Sequence, residues 1–241
     1  MPSEQPPSSP RGIFVTGTDT GVGKTLVASG LVRLLASRGR RVVGLKPVAS
    51  GATRTADGLR NDDALALAAE SSVPLSYELT NPYCFEPAIA PHLAAASAGV
   101  NLSADDLAAW YRRATVGADF AVVEGAGGWR VPLHPDGYLS DLPERLGLGV
   151  VLVVGLRLGC LSHARLTVEA IAGTGRCPLL GWVGSRIDTG FEPLDANLAT
   201  LERLLGSPPL AILPPLERPG AAEAGAWLDR PRLLTALGAA G

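Results

Sequence analysis

Lysine is almost absent from this chain of 241 residues: 19 of its 21 basic residues are arginines, and only Lys24 and Lys46 are lysines. Arginine replaces lysine at small cost wherever a site needs only a solvated cation. It does not replace lysine where the chemistry needs a compact, mobile ammonium group, because the guanidinium is planar and rigid. The two remaining lysines are therefore the first candidates for functional residues, and both follow short apolar segments typical of strands.

The low net charge, the lack of long apolar runs and the small number of cysteines argue against several classes of function. The net charge is only −2 and the arginines are scattered, so neither nucleic acid nor an anionic membrane is expected as the main partner. No apolar run approaches the roughly 18 residues of a candidate transmembrane helix. The three cysteines, Cys84, Cys160 and Cys177, are odd in number and far apart, so we expect buried, reduced thiols in a cytoplasmic protein and neither disulfides nor a metal site.

The order of the apolar segments predicts a fold of the α/β class. Strand-like runs alternate with helical patterns, which is typical of a mostly parallel sheet with helices on both faces. Strands are predicted near residues 12–17, 41–46, 119–124, 149–155, 178–184 and 209–213, and helices near 24–38, 61–70, 103–115, 161–173 and 193–205. The stretch 47–118 is expected to be mostly helical, apart from a polar loop at 50–60.

Residues 12–241 are predicted to form a single domain. A hydrophobic content of 46% over this length suffices for one sizeable core, and no linker or internal repeat interrupts the chain. Residues 1–11 are rich in Pro and Ser and lack an apolar stretch, so we expect a disordered leader and not a signal peptide. In sheets of this kind ligands bind at the carboxyl ends of the strands, so functional residues are sought just after each predicted strand.

The segment Gly17 to Thr25, with the sequence GTDTGVGKT, is a variant of the P-loop. It follows a strand-like run and precedes a helical pattern, which is the context that this phosphate-binding motif needs. Its glycines let the backbone approach an anion, and successive N–H groups at the helix start then point at phosphate oxygens. We expect Lys24 to reach the β- and γ-phosphates and the Thr25 hydroxyl to face Mg²⁺. Thr18 stands where the usual pattern has its first glycine.

Charged residues follow two further predicted strands. Lys46 comes directly after the second strand, and Glu124 ends the third, before the small residues 125–128. A buried glutamate without a cation is costly, so Glu124 needs a positive partner. Asp62 and Asp63 open the helix predicted at 61–70, where at least one of them is expected to be a cap. Asp63 is also a candidate ligand for Mg²⁺, which commonly takes one or two carboxylates together with phosphate oxygens and water.

Seven motifs closely resemble the dethiobiotin synthetase family, in order and without large gaps between about residues 12 and 215. They are GTDTGVGKT (17–25), KPVASG (46–51), GLRNDDALAL (58–67), NPY (81–83), APH (90–92), VEGAGGW (123–129) and VVGLRLGCLSHARLT (153–167). The first motif alone also resembles related ATP-dependent synthetases. The KPVASG, NPY and VEGAGGW motifs make the resemblance specific.

The resemblance implies a P-loop NTPase-like fold and a defined reaction. Members of the family close a ureido ring on 7,8-diaminopelargonate with CO₂ and MgATP, and they form dethiobiotin, ADP and phosphate in biotin biosynthesis. The intermediates are a carbamate of one amine and a carbamic–phosphoric mixed anhydride. Because no covalent enzyme intermediate is needed, catalysis consists of positioning the reactants and neutralising charge around a transferring phosphoryl group.

The resemblance also implies residue roles by position. The positions matched to catalysis are Lys24, Lys46 and Thr20. Those matched to Mg²⁺ binding are Thr25, Asp63 and Glu124. Those matched to nucleotide binding are Asp19, Thr20, Gly21, Val22, Gly23, Lys24, Thr25, Glu124, Gly127, Ser185 and Pro214. Those matched to substrate binding are Ser50, Gly159, Cys160, Leu161 and Ser162.

A homodimer is implied by the last of these positions. In the family, the segment matched by residues 159–163 reaches the substrate carboxylate of a neighbouring subunit. Two serines depart from the family pattern. Ser162 stands where Asn is usual, and Ser185 stands where the family commonly has an Asn that reads the adenine edge. A serine offers one hydroxyl where Asn offers a donor and an acceptor, so the sequence leaves the base preference open.

Two other function classes remain as alternatives. One is a P-loop ATPase switch of the partitioning or cell-division type, which usually carries a lysine early in its P-loop, where this chain has residues 18–20 instead. The other is an amide-forming ATP-dependent ligase that draws ammonia from glutamine. It needs a further domain with a nucleophilic cysteine, which too few residues after 215 are left to form, so a separate glutaminase subunit would have to supply it.

Overall fold

A computed structural model of the chain describes residues 11–217 and 219–238. Its strands, in chain order, are β1 (Arg11–Gly17), β2 (Val42–Leu45), β3 (Val48–Ser50), β4 (Thr53–Thr55), β5 (Gly58–Arg60), β6 (Tyr83–Phe85), β7 (Phe120–Glu124), β8 (Pro132–His134), β9 (Gly137–Tyr138), β10 (Gly149–Gly155), β11 (Leu179–Ser185) and β12 (Ala211–Leu213). Its helices are α1 (Lys24–Ser37), α2 (Asp62–Glu70), α3 (Tyr77–Thr80), α4 (Pro91–Ser97), α5 (Ala104–Ala114), α6 (Asp141–Leu146), α7 (Cys160–Ala172), α8 (Leu194–Leu205), α9 (Ala221–Leu228) and α10 (Pro231–Ala236).

One central sheet organises the molecule. It has six strands in the order β12-β11-β10-β1-β7-β2, and every neighbouring pair is parallel. Strands β7 and β10 are buried along their whole length, because a parallel sheet is covered by helices on both faces. The predicted α/β class with a P-loop NTPase-like parallel sheet is confirmed, and the six predicted strands and five predicted helices agree with the structure to within two residues at their ends.

The two faces of the sheet bury different sets of side chains. Because side chains alternate along a strand, Ile13 and Val15 of β1 point to the face covered by α1, α9 and α10, while Phe14 points to the face covered by α5. A third cluster surrounds Trp182, where α7 and α8 cover β10 and β11. Burial of this apolar surface is the main favourable contribution to folding, and it fixes the strand ends at which the site forms.

The stretch 47–118 contains more strand than expected. Residues 53–60, predicted as a polar loop, form the antiparallel hairpin β4–β5, and β3 pairs in parallel with β6. The hairpin turn holds Gly58 at φ 104°, and the Thr55 hydroxyl donates to the Gly58 carbonyl at 2.8 Å. Strands of three residues are too short to show an alternating pattern, which is why the sequence did not reveal them.

The predicted leader lies outside the described residues, apart from its last position. Residue Arg11, assigned to the leader on sequence, already belongs to β1. The cysteines in the described chain are free, as expected. Cys160 and Cys177 are buried and Cys84 is half-buried; burial raises the pKa of the Cys177 thiol to about 12. None of the helices in the described ranges is long and apolar enough to cross a membrane.

Candidate active site

The P-loop connects the end of β1 to the start of α1. Two of its glycines adopt left-handed backbone conformations, with φ 73° at Gly21 and φ 91° at Gly23. Gly23 is the N-terminal cap of α1 and offers no side chain, so no side-chain hydrogen bond caps the helix. The first N–H groups of α1 are thereby left for an anion, which the helix dipole also favours.

Lys24 folds back over its own loop. Its Nζ atom donates a hydrogen bond to the carbonyl oxygen of Asp19 at 2.8 Å. The Asp19 carboxylate accepts from the backbone N–H of Thr20 at 2.7 Å and also pairs with the Arg157 guanidinium. Two contacts therefore hold the conformation of the P-loop: the hydrogen bond from Lys24 to the Asp19 carbonyl, and the ion pair between Asp19 and Arg157 from the segment after β10.

The strand order brings the second lysine and Glu124 to the same place. In the sheet β7 lies between β1 and β2, so their carboxyl ends are neighbours. Val15 of β1 is paired in register with Glu124 of β7. Lys46, directly after β2, donates from Nζ to Glu124 Oε1 at 2.7 Å and to the Gly125 carbonyl at 3.2 Å. The expectation that the buried Glu124 needs a positive partner is met by Lys46.

Asp63 completes the cluster from the first turn of α2. Its Oδ2 accepts from Lys46 Nζ at 2.8 Å, and its Oδ1 lies 2.7 Å from the Thr25 hydroxyl oxygen. The expectation that Asp62 or Asp63 caps this helix is wrong, because the cap is Asn61, whose side chain accepts from the Ala64 N–H at 3.3 Å. Asp63 is therefore free to turn toward the P-loop.

The Thr25 hydroxyl has more acceptors than it has hydrogens. Its oxygen lies 2.7 Å from Asp63 Oδ1 and 2.8 Å from Glu124 Oε1, yet a hydroxyl has a single hydrogen to donate. Glu124 Oε2 is buried and lacks a hydrogen-bond partner within the described residues. Oxygen atoms from three residues thus converge with an unfilled acceptor beside them, a donor set that suits a hard cation such as Mg²⁺.

The two lysines titrate differently. Burial lowers the pKa of Lys24 to about 8, and repulsion from Lys46 acts in the same direction. Burial also opposes the charged form of Lys46, but the carboxylates of Glu124 and Asp63 outweigh it and raise the Lys46 pKa. Lys46 is therefore a permanent cation, while Lys24 is close to losing its proton.

The two carboxylates differ as well. Burial raises the pKa of Glu124 despite its contact with Lys46. For Asp63 the effect of burial is outweighed by Lys46 and by the Thr25 hydrogen bond, so the Asp63 pKa is lowered. Asp63, which is half-exposed, therefore ionises more readily than Glu124. The buried Glu124 depends on a neighbouring cation to stay charged.

A cleft of about 900 Å³ opens over this cluster. Its polar floor carries Lys24, Lys46, Asp63 and Glu124, and Ser50 lies on its wall. Much of the remaining wall is largely apolar and is formed by residues 88–91, 126–127 and 130–132. A charged floor with a largely apolar wall fits a ligand that has a reactive polar end and an aliphatic body.

Comparison with known proteins tests the resemblance. A family model described as an AAA domain matches residues 11–222. The ATP-dependent dethiobiotin synthetase BioD of Cellvibrio japonicus (strain Ueda107) is 52% identical over 228 residues, which covers 95% of this chain and 100% of that protein. The protein of the same name from Chromohalobacter salexigens is 54% identical over 212 residues, covering 84% of this chain and 89% of its own length.

The chain belongs to the ATP-dependent dethiobiotin synthetase family. Among solved structures, a ParA family ATPase from Chlorobium tepidum TLS matches with a TM-score of 0.56 at 14% identity, covering 94% of this chain and 96% of the other. The septum site-determining protein MinD of Pyrococcus horikoshii OT3 matches with the same TM-score at 18% identity, covering 94% and 92%. At such identities these likenesses show a shared fold and nothing about function.

Several residues matched to the dethiobiotin synthetase family are gathered in the cleft. Its lining contains Thr20, Gly21, Gly23, Lys24, Thr25, Lys46, Ser50, Asp63, Glu124 and Gly127. Val22 is buried beneath the P-loop, where its side chain contacts Gly17 and Gly155. Asp19 shapes the loop through its carbonyl and carboxylate, as described above.

Other matched residues lie outside the cleft in the described single chain. Ser185 is buried at the end of β11, and its hydroxyl would lie 2.8 Å from a Cβ built on Gly23, so it borders the back of the P-loop. Pro214 follows β12, the neighbour of β11. Residues 159–162 form the start of α7 and do not line this chain's own cleft. Their substrate-binding role stays a prediction that requires a second subunit.

Sequence reasoning missed three residues that shape the site. Asn81 is buried and donates to the Lys46 carbonyl at 2.7 Å, which fixes the loop that carries the lysine. Arg157 pairs with Asp19, and Arg130 lines the cleft. Asn81 and Arg157 lie inside the NPY and VVGLRLG motifs and Arg130 directly follows VEGAGGW, so the motifs located them but did not indicate what they contact.

Proposed function

We propose that this chain catalyses the ATP- and Mg²⁺-dependent closure of 7,8-diaminopelargonate with CO₂ to dethiobiotin, releasing ADP and phosphate. The observation that carries the proposal is the convergence of Lys24, Thr25, Lys46, Asp63 and Glu124 at the floor of one cleft. These are the residues that membership of the dethiobiotin synthetase family assigns to phosphate, metal and carbamate.

The reaction begins at one amine of the substrate. Its lone pair attacks CO₂ and the amine loses a proton, which gives a carbamate. A carbamate oxygen then attacks the γ-phosphorus of ATP and ADP leaves, so that a carbamic–phosphoric mixed anhydride forms. The second amine attacks the carbonyl carbon and loses a proton, the bond to the phosphate oxygen breaks, and phosphate departs as the ring closes. Each step moves charge without a covalent bond to the protein.

The cations of the site stabilise this moving charge. Lys24 exchanges the Asp19 carbonyl for phosphate oxygens, and the added negative charge restores a pKa that burial has lowered to about 8. Lys46 stays protonated at neutral pH and, together with Thr20, holds the carbamate. A compact ammonium reaches between the carboxylates and the carbamate where a planar guanidinium does not fit.

The donor set of Thr25, Asp63 and Glu124 would hold Mg²⁺, which when bound neutralises charge on the phosphate oxygens. The convergence of their oxygens and the unpartnered Glu124 Oε2 support this assignment. In the same proposal Asp63 keeps the site anionic over a wide pH range, because its pKa is lowered.

The remaining assignments complete the proposal. Residues 19–25, Glu124, Gly127, Ser185 and Pro214 bind the nucleotide. Ser50 contacts the diamine from its own chain, and residues 159–162 contact the substrate of the neighbouring subunit in a homodimer. We propose a cytoplasmic location, where the free thiols of the chain remain reduced.

The test is a coupled assay of the purified chain with MgATP, bicarbonate and 7,8-diaminopelargonate. Dethiobiotin and phosphate are measured together and should appear in equal amounts. A repeat with CTP and GTP reports the base preference that Ser185 leaves open. Phosphate release without dethiobiotin would contradict the proposal and favour an ATPase switch, and omission of bicarbonate is the matched control.

A further inference from the structure

Two helices in the described part of the chain begin in the same way. Gly23 caps α1 at φ 91° and Gly159 caps α7 at φ 94°, and within the described residues no side-chain hydrogen bond caps either helix. The N-terminal caps of the other described helices are not left-handed. A helix start without a side-chain cap leaves backbone N–H groups for an anion. In the proposed function these two starts hold the phosphates of ATP and the carboxylate of the substrate.

The loops that lead to these two helices run side by side. They leave β1 and β10, which are neighbouring parallel strands, and Gly17 is paired in register with Val153. The Thr18 N–H donates to the Val153 carbonyl at 3.0 Å, and the Gly155 N–H donates to the Thr18 hydroxyl at 3.4 Å. Hydrogen bonds therefore join the two loops where they leave the sheet.

Arg157 joins the same two loops nearer to the helices. Its guanidinium pairs with the Asp19 carboxylate, and its carbonyl oxygen accepts from the Cys160 N–H at 3.0 Å at the start of α7. Asp19 in turn holds the P-loop, because its carboxylate accepts from the Thr20 N–H at 2.7 Å and its carbonyl accepts from Lys24 at 2.8 Å. One arginine thus connects the residues that shape both helix starts.

The contribution of this ion pair to stability is small. The side chains of Arg157 and Asp19 are 40% and 47% exposed, and ion pairs at such positions are worth little because water screens them. Leu158, the next residue, is 90% exposed, so the segment lies at the surface of the chain. The ion pair instead provides orientation, because it fixes the position of Asp19 relative to the start of α7.

Occupation of the P-loop changes the contacts of Asp19. In the proposed function Lys24 leaves the Asp19 carbonyl for the phosphate oxygens of ATP, and the contacts to Thr20 and Arg157 remain to hold Asp19. A P-loop that is fixed by ATP therefore also fixes Arg157 and the first turn of α7. A helix start that is already ordered loses less conformational entropy when it binds its own anion.

We infer that Arg157 is a positioning residue that couples the ATP site of one subunit to the substrate site of its neighbour. The inference rests on the proposed function, in which the start of α7 reaches the carboxylate of the diamine across a homodimer interface. ATP on one P-loop should therefore tighten the binding of the diamine in the neighbouring subunit. The diamine should tighten the binding of ATP by the same factor, because coupling between two binding sites is reciprocal.

The first experiment measures this coupling without turnover. Calorimetry gives the dissociation constant of 7,8-diaminopelargonate in buffer depleted of CO₂, with and without saturating Mg²⁺ and β,γ-imido-ATP, an analogue whose γ-phosphate is not transferred. In the natural protein the analogue should tighten binding of the diamine about tenfold, and Arg157→Leu should reduce this ratio about fivefold, the lower end of coupling between sites in proteins. A merely structural role would change each affinity and leave their ratio unchanged.

Three further variants sharpen the result. Arg157→Lys keeps a cation beside Asp19 and should restore part of the ratio. Asp19→Asn removes the other partner, so it should lower the ratio as much as Arg157→Leu does, and the double variant should lower it no further. Arg38→Leu is the matched control and should leave the ratio unchanged, because it breaks an ion pair of similar exposure, with Asp229, at the far end of α1.

These measurements separate the inference from the proposed function on which it rests. A natural protein that forms no dethiobiotin in the coupled assay contradicts the proposed function itself. If dethiobiotin forms, an unchanged ratio in Arg157→Leu overturns the role of Arg157 alone. A natural protein that forms dethiobiotin but sediments as a monomer at the concentrations used also overturns the coupling between subunits.

Discussion

Lys24 and Lys46 line the same cleft, but their two regions treat positive charge in opposite ways. The P-loop offers Lys24 a single carbonyl oxygen, and burial lowers its pKa to about 8. The region between β2 and β7 surrounds Lys46 with Asp63 and Glu124, which raise its pKa. Among the residues that the structure describes, Lys24 therefore has no carboxylate within ion-pair distance, whereas Lys46 has two.

This difference indicates how the site is prepared for an anion. A buried cation without a counter-ion is costly, so an incoming phosphate relieves a cost that the folded protein already carries at Lys24. Lys46 is needed even before ligands arrive, because it compensates a glutamate that is 1% exposed. The P-loop lysine thus serves binding, while the second lysine serves both stability and chemistry.

Removal of Lys46 should give the largest effect on stability. Lys46→Met leaves Glu124 buried without a cation, so we expect the free energy of unfolding to fall by about 3–5 kcal/mol, as for other broken buried ion pairs. Denaturant unfolding measures the change. In the double variant Lys46→Met with Glu124→Gln most of the loss should be recovered; a double variant as unstable as the single one would contradict the assigned partnership.

Replacement by arginine separates the two duties of Lys46. Lys46→Arg keeps a charge for Glu124, so the fold should persist, but turnover should fall about 100-fold or more because the planar guanidinium does not place its charge on the carbamate. Steady-state kinetics and a melting curve on the same sample measure both. Unchanged turnover would remove the argument that the scarcity of lysine marks functional positions.

The central sheet and its strand-end residues could be predicted from the sequence because their signals are long. Strands such as β10 are continuous apolar runs, and the rule that ligands bind at carboxyl ends selected Lys46 and Glu124, which the structure places in one cleft. The elements that were missed are short. The hairpin β4–β5 and the pair β3–β6 have three residues per strand, and the pairing of β3 with β6 joins segments that are distant in sequence.

The partners within the site were less predictable than its members. The helix α2 begins one residue later than predicted, so its cap is Asn61 and not an aspartate. Sequence patterns do not locate a helix start to within one residue. The pairing of Arg157 with Asp19 joins positions 138 apart in sequence, and no local pattern records it. The roles of residues 159–162 depend on a second subunit, so they stay a prediction.

A smaller effect should come from Asp63, the half-exposed member of the carboxylate pair. Asp63→Asn weakens the proposed metal shell while Glu124 keeps Lys46, so the Mg²⁺ concentration for half-maximal activity should rise about tenfold with little change in melting temperature. Activity measured across a Mg²⁺ series tests this. Asp62→Asn, on the exposed side of the same helical turn, is the control; a change confined to stability would indicate a structural role for Asp63.

The smallest expected effect is the uptake of a fraction of a proton by Lys24 when ATP binds. It directly tests the difference in pKa between the two lysines. With a pKa of about 8, Lys24 is mostly neutral at pH 8.5, whereas its unfolded value is 10.5. Phosphate stabilises the charged form, so ATP binding should take up roughly three quarters of a proton at pH 8.5, and affinity should decline as pH rises above about 8. Calorimetry in two buffers of different ionisation enthalpy measures the uptake.

Two features make this measurement decisive for Lys24. Lys46 does not contribute, because its raised pKa keeps it protonated with or without ATP. In Lys24→Arg the guanidinium stays charged at every accessible pH, so the uptake should vanish even if binding is weakened.

The same lowered pKa means that the unfolded chain binds more protons than the native one above pH 8, so this group makes stability increase with pH between about 8 and 10.5. Proton uptake that persists in Lys24→Arg would assign the titration to another group and break the contrast between the two lysines.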